Sequence, residues 1–76
     1  MQRIPDKYWY IDLYGAQYYI PWDDFFPGNS IFIKTTATAL EVQRAFKPAE
    51  NYLHIMLKAH PRHEFGYYGV RVWRLA

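Results

Sequence analysis

Short runs of alternating apolar and polar residues, with one helical stretch between them, make up most of this chain. Residues 8–14 and 17–20 are rich in aromatic and β-branched side chains, which favour strands. The break at residues 15–16 between them predicts a hairpin, although one bent strand would also fit the pattern. Residues 31–34 (Ile-Phe-Ile-Lys) predict a further short strand near the centre of a sheet.

A single helix is predicted over about residues 38–47. Thr38 and Glu41 have the spacing of a capping box, in which a hydroxyl and a carboxylate satisfy the first free N–H groups of a helix. Pro48 is expected to stop or restart the helix, because the residue before a proline avoids the helical region. The apolar stripe of the helix would consist of Leu40, Val42, Ala45 and Phe46.

Alternation returns in the C-terminal part of the chain. Residues 52–60 read as a half-buried strand, residues 61–68 as a long loop, and residues 69–75 as a closing strand. Strands followed by a helix and further strands predict an α+β fold. We therefore expect a small antiparallel sheet of four to five strands with one helix packed across it, in a single domain over residues 1–76.

The closing strand is unusual because it carries an arginine on each face. Val70, Val72 and Arg74 share one face, whereas Arg71 and Trp73 share the other. If residues 53–59 pair antiparallel with this strand and their leucines point inward, the outer face becomes basic and exposes an indole.

A basic face with an exposed indole is suited to nucleic acid, since cations neutralise phosphates and aromatic rings stack on bases. We predict that DNA or RNA binds there. The predicted contacts are His54, Lys58, Arg62, His63, Arg71 and Trp73, together with Arg44 and Lys47 from the helix. The alternative is a tryptophan in the core and an ordinary solvated face of basic residues.

Aromatic residues are also concentrated near the N-terminus, in greater number than one face of a small sheet can bury. Tyrosine and tryptophan are enriched at the energetic centres of protein interfaces. A second hypothesis is therefore a protein interface, with a partner protein or a second copy of the chain, that includes Tyr8, Tyr10, Tyr18 and Trp22. The alternative is that these rings pack on one another inside the domain.

Composition predicts a small domain without disulfides, and its modest basic surplus is common in domains that do not bind nucleic acid. The chain has 76 residues, no cysteine and 21% aromatic residues, so dense packing of rings must replace disulfides. Its net charge of +2 is uneven. Residues 1–30 hold two cations against four carboxylates (net −2), whereas residues 31–76 hold seven cations against three carboxylates (net +4).

Catalytic chemistry finds no support in the sequence. The histidines of residues 60–63 lack the spacing of a zinc site, and Asp23 and Asp24 are better explained by turn formation than by acid–base catalysis. We expect no enzyme activity, no metal and no cofactor. The chain lacks a run of roughly 18 apolar residues and an apolar leader, so no membrane association and a cytoplasmic location are expected.

Three segments together resemble a group of small phage and prophage proteins. They are Ile-Pro-Trp-Asp-Asp-Phe with the following Pro-Gly-Asn-Ser-Ile-Phe-Ile, a helical region bearing Arg44, and the ending Gly-Val-Arg-Val-Trp-Arg. The resemblance covers about residues 20–75. It implies a phage accessory protein in the host cytoplasm, and with the hypotheses above it predicts binding of nucleic acid, modulation of a host protein, or a small homodimeric structural role.

Overall fold

The strands of this chain form two antiparallel sheets, and one helix packs against both of them. The computed structural model describes residues 3–76. Its elements, in chain order, are Tyr10–Leu13 (β1), Ala16–Tyr19 (β2), Ser30–Lys34 (β3), Ala39–Leu53 (α1), Leu57–Glu64 (β4) and Tyr67–Arg74 (β5), with short 3-10 helices at Asp6–Tyr8 and Trp22–Asp24. The predicted α+β class is confirmed, and the five strands divide into a hairpin and a three-stranded sheet.

The topology of the three-stranded sheet explains why it has one covered face and one open face. The strand order is β3-β5-β4, and β5 runs antiparallel to both neighbours. The two outer strands are therefore parallel, and the chain between them must cross over β5. Because α1 forms that crossover, it lies on one face of the sheet.

The core lies between α1, the covered face of the sheet and the β1–β2 hairpin. Val42 and Phe46 of α1 are fully buried, as are Val70 and Val72 of β5. These residues belong to one cluster with the inner residues of the other strands, namely Ile11, Leu13, Ile33, Leu57 and Ala59. Leu40, expected in the apolar stripe, is instead exposed.

The start of α1 follows the predicted capping box. The Thr38 hydroxyl accepts a hydrogen bond from the Glu41 backbone N–H at 3.1 Å, and the Glu41 carboxylate accepts one from the Thr38 N–H at 2.9 Å. Tyr14 donates a hydrogen bond to the same carboxylate, which links the hairpin to the helix. These contacts lower the pKa of Glu41. The backbone hydrogen bond from Thr38 has the largest effect, and the hydrogen bond from the Tyr14 side chain has the second largest.

The end of α1 differs from the prediction. Pro48 lies inside the helix and is exposed, as is Arg44, the residue whose carbonyl loses its helical donor at Pro48. The helix continues to Leu53 and ends at His54, which adopts the left-handed conformation with φ of 56°. The strand predicted from residue 52 therefore begins only at Leu57.

The loop predicted over residues 61–68 is also wrong. β4 continues to Glu64, and a two-residue turn of Phe65 and Gly66, with φ of 54° and 78°, leads directly into β5. Positive φ at both positions matches the twist of the paired strands. Pro61 fits within β4 because this strand lies at the sheet edge.

Gly69 of β5 is required by a close approach of β3. A Cβ atom at this position would lie 2.2 Å from the Ile33 carbonyl oxygen and 2.7 Å from Cζ of Phe32. We expect Gly69→Ala to lower the free energy of unfolding by about 1–3 kcal/mol, because the contact forces β3 and β5 apart. Urea denaturation measures this change.

Gly66→Asn is the matched control, because a Cβ at Gly66 meets no atom within 4 Å and asparagine tolerates positive φ. This variant should change stability by less than about 1 kcal/mol. Equal stability of the Gly69→Ala variant and the unmodified protein would contradict the close approach.

Candidate nucleic-acid interface

The face of the three-stranded sheet opposite α1 carries most of the chemistry-bearing side chains. We call it the open face. Strand alternation and register place on it Ser30, Phe32 and Lys34 of β3, Tyr67, Gly69, Arg71 and Trp73 of β5, and Lys58, His60, Arg62 and Glu64 of β4. With four cations and one carboxylate, the open face has a surplus of three positive charges at neutral pH.

Trp73 is the centre of the more cationic end of the open face. Its side chain is half-buried, and Lys58 is its direct partner across the strands. The Arg62 guanidinium carbon lies 5.9 Å from the ring centroid of the indole, and the His60 ring meets the indole edge-on at 6.0 Å. The indole of Trp73 and two exposed cations, Lys58 and Arg62, are therefore neighbours on the open face.

Arg71 holds the three strands together in the middle of the open face. Its Nε and Nη2 atoms donate to the two carboxylate oxygens of Glu64 at 2.7 and 2.5 Å, and Nη1 donates to the Ser30 hydroxyl at 2.8 Å. The side chains of Arg71 and Glu64 are only 20% and 16% exposed. The charge of Arg71 is thus largely neutralised. Arg62 also lies 3.5 Å from the Glu64 carboxylate, but its side chain is 52% exposed, so Lys58 and Arg62 are the cations that a phosphate can reach.

The far end of the open face holds a second cation on an aromatic ring. The Lys34 ammonium lies 3.6 Å from the ring centroid of Tyr67. Lys34 and Tyr67 also line a neighbouring cavity of about 450 Å³ between the sheet and the hairpin. The open face therefore carries aromatic rings paired with cations at both ends of β5.

Four of the predicted nucleic-acid contacts, Lys58, Arg62, Arg71 and Trp73, share the open face. His63 is exposed but alternates with Arg62 and Glu64, so it points to the other side of β4. The strand position predicted for His54 is wrong, because this residue ends α1.

Arg44 and Lys47 do not share a surface with Trp73. Both are exposed on α1, which covers the opposite face of the sheet. They therefore do not join the predicted contacts on the open face, and the alternative, an ordinary solvated helix face, accounts for them. The predicted contacts did not include Lys34 or His60. The alternation of β3 could have revealed Lys34, and the alternation of residues 52–60 places His60 on the same face as Lys58.

The predicted N-terminal interface residues have separate environments. Trp22 is buried, and its indole N–H donates to the Tyr8 carbonyl at 2.7 Å, so it belongs to the core and not to an interface. Tyr8 stacks on Tyr52 at 4.8 Å, and the Tyr18 hydroxyl donates to the Lys34 carbonyl at 2.8 Å. Of the four predicted residues, Tyr10 is the exposed one.

Arg74, on the covered face of β5, satisfies a loop carbonyl. Its Nη1 atom donates to the carbonyl oxygen of Phe25 at 2.7 Å. Asp12 of the hairpin accepts a hydrogen bond from the Gly15 N–H at 3.0 Å. Arg74 therefore binds the loop before β3, whereas Arg71 on the other face of β5 binds side chains of β3 and β4.

Neither a metal cluster nor a membrane-spanning helix is present in the described part of the chain. Within residues 3–76, no three histidine, aspartate or glutamate side chains are grouped to hold an ion. No helix in the same range is both long and apolar enough to cross a bilayer.

Comparison with protein-family models, with curated proteins and with solved structures gave no match for this chain. The resemblance to phage proteins therefore stays a prediction, and the geometry of the open face is the basis for assigning a function.

The Arg71–Glu64 pair makes stability depend on acidity. The hydrogen bonds from Arg71 lower the pKa of Glu64 below its ordinary value of 4.5. The pair's stabilisation is therefore fully present above about pH 4.5 and declines as the pH falls through the lowered folded-state pKa. Glu64→Gln should be less stable than the unmodified protein at neutral pH, and the difference should shrink in acid.

Urea denaturation of both proteins across this pH range measures the difference. A stability difference that stays constant as the pH falls would show that the Glu64 charge does not hold the strands.

Proposed function

We propose that this chain is a non-enzymatic protein that binds single-stranded nucleic acid across the open face. The observation that carries this proposal is Trp73, half-buried on an uncovered sheet face, with Lys58 opposite it and Arg62 over its ring. Cations that follow the backbone and aromatic rings that stack on bases are the two elements of such sites.

The single-stranded form is favoured by the shape of the surface. Stacking on Trp73 requires an unpaired base, because bases in a duplex already stack on one another. Trp73 and Tyr67 lie six residues apart on β5, which corresponds to about 20 Å along a strand. A short oligonucleotide can therefore contact both aromatic ends and the cations between them.

The resemblance in residues 20–75 supports assigning this binding to a phage accessory protein in the host cytoplasm. Modulation of a host protein through the N-terminal aromatic residues is less well supported, because Trp22 is in the core and Tyr8 is half-buried against Tyr52.

Reversing the accessible charges tests the proposal. The double variant Lys58→Glu and Arg62→Glu should weaken binding of a fluorescent oligonucleotide and reduce its salt dependence. Each phosphate of a single strand that the protein no longer neutralises reduces the slope of log affinity against log salt by about 0.7, so a decrease of about 1.4 is expected. Fluorescence anisotropy over a series of salt concentrations measures both quantities, with DNA and RNA oligonucleotides compared in parallel.

The matched control is Arg44→Glu with Lys47→Glu, which changes the net charge equally on the opposite side of the sheet. This control should keep most of the affinity and the original salt slope. An equal decrease in both double variants would point to general charge attraction, and unchanged binding in the first would refute the proposal.

A further inference from the structure

A second cavity lies at the N-terminal end of the molecule, away from the open face. It has a volume of about 390 Å³ and is lined by Asp6, Trp9, Tyr10 and Tyr19. We call it the aromatic pocket. Its lining combines three aromatic residues with one aspartate, and none of these four residues is basic.

The rings of the aromatic pocket form a corner. Tyr10 and Tyr19 are direct partners across β1 and β2, with ring centroids 5.7 Å apart and planes at 65°. The indole of Trp9 lies 5.9 Å from Tyr19, at 14° to its plane. Tyr10 is 50% and Tyr19 is 56% exposed, so ring surface remains available for a ligand.

Local backbone structure fixes the position of Asp6 next to Trp9. Asp6 begins the 3-10 helix of residues 6–8, and its carbonyl accepts a hydrogen bond from the Trp9 backbone N–H at 3.1 Å. The Trp9 indole N–H donates to the Ile4 carbonyl at 3.1 Å. One turn of backbone thus fixes the indole and the position of Asp6 together.

The charge of this region selects the class of ligand. The face of an aromatic ring attracts cations, a carboxylate adds to that attraction, and residues 1–30 carry a net charge of −2. A phosphate would be repelled at this site. Elsewhere the protein places its own lysines over rings, as with Lys7 on Tyr8 and Lys34 on Tyr67. Over the rings of the aromatic pocket, residues 3–76 place no cation of their own.

From this arrangement we infer that the aromatic pocket binds a methylated or quaternary ammonium group. Such groups suit aromatic corners because their charge is spread over methyl groups that contact the ring faces. The inference is independent of nucleic-acid binding, since the two surfaces share no residue and attract opposite charges.

Choline and its neutral isostere 3,3-dimethylbutan-1-ol provide the test, because they have nearly the same shape and differ in charge. Titration is followed by the NMR signal of the Trp9 indole N–H. Choline should give a saturable shift. The neutral isostere should bind with an affinity that is lower by a factor of roughly two to five. Equal affinity for both compounds, or no saturable shift with choline, would overturn the inference.

Two pairs of variants separate the charge from the rings. Asp6→Asn should weaken choline binding, whereas Asp23→Asn, which removes an exposed carboxylate elsewhere, should not. Tyr19→Leu should abolish the preference for choline over the neutral compound, whereas Tyr19→Phe should retain it. Unchanged choline binding in both Asp6→Asn and Tyr19→Leu would place the ligand outside the aromatic pocket and contradict the inference.

A methylated or quaternary ammonium group can belong to a protein or to a free small molecule. A peptide with one trimethyllysine, compared with its unmethylated form and with choline, distinguishes these two sources. Tighter binding of the methylated peptide than of choline would identify a protein-borne ligand. Equal or weaker binding of the peptide would identify a free small molecule.

Discussion

The hydrogen bonds of Arg71 to Glu64 and Ser30 hold the open face together, and the rest of that surface depends on them. One helix of 15 residues covers one side of the sheet and leaves the other in contact with water. On that side, side chains that tolerate solvent add to the backbone hydrogen bonds that join the three strands. Arg71, on the central strand, does this by binding one residue on each neighbouring strand. Because its charge is used in this way, a ligand meets mainly the exposed Lys58 and Arg62, of which Arg62 also lies near Glu64.

The two surfaces of the molecule are opposite in charge but are built from similar rings. On the open face, aromatic side chains lie among cations and suit a polyanion with stacking bases. In the aromatic pocket, three rings lie beside Asp6 and suit an organic cation. The uneven charge along the chain, acidic before residue 30 and basic after it, therefore corresponds to a division of the surface. The net charge of +2 therefore does not describe the charge of either surface.

Local signals in the sequence predicted much of the fold. The spacing of Thr38 and Glu41 indicated the start of the helix, and the alternation in β5 separated Val70 and Val72 from Arg71 and Trp73. The end of the helix could not be predicted in the same way. Pro48 is a strong local stop signal, but its exposed position lets the helix continue. The sequence after it fits either helix or strand until tertiary packing decides, and this is why His54 was misplaced. The role of Arg71 was also hidden, because it depends on partners 7 and 41 residues away.

The central claim is that Trp73 and its neighbouring cations form a nucleic-acid interface. Mapping of backbone and indole NMR shifts during titration with a single-stranded oligonucleotide tests it most directly. The account predicts that the largest shifts occur at the Trp73 indole and at the outward-facing residues of β4 and β5, with little change in α1. Shifts concentrated on α1 or on the β1–β2 hairpin, with the Trp73 signal unmoved, would contradict it.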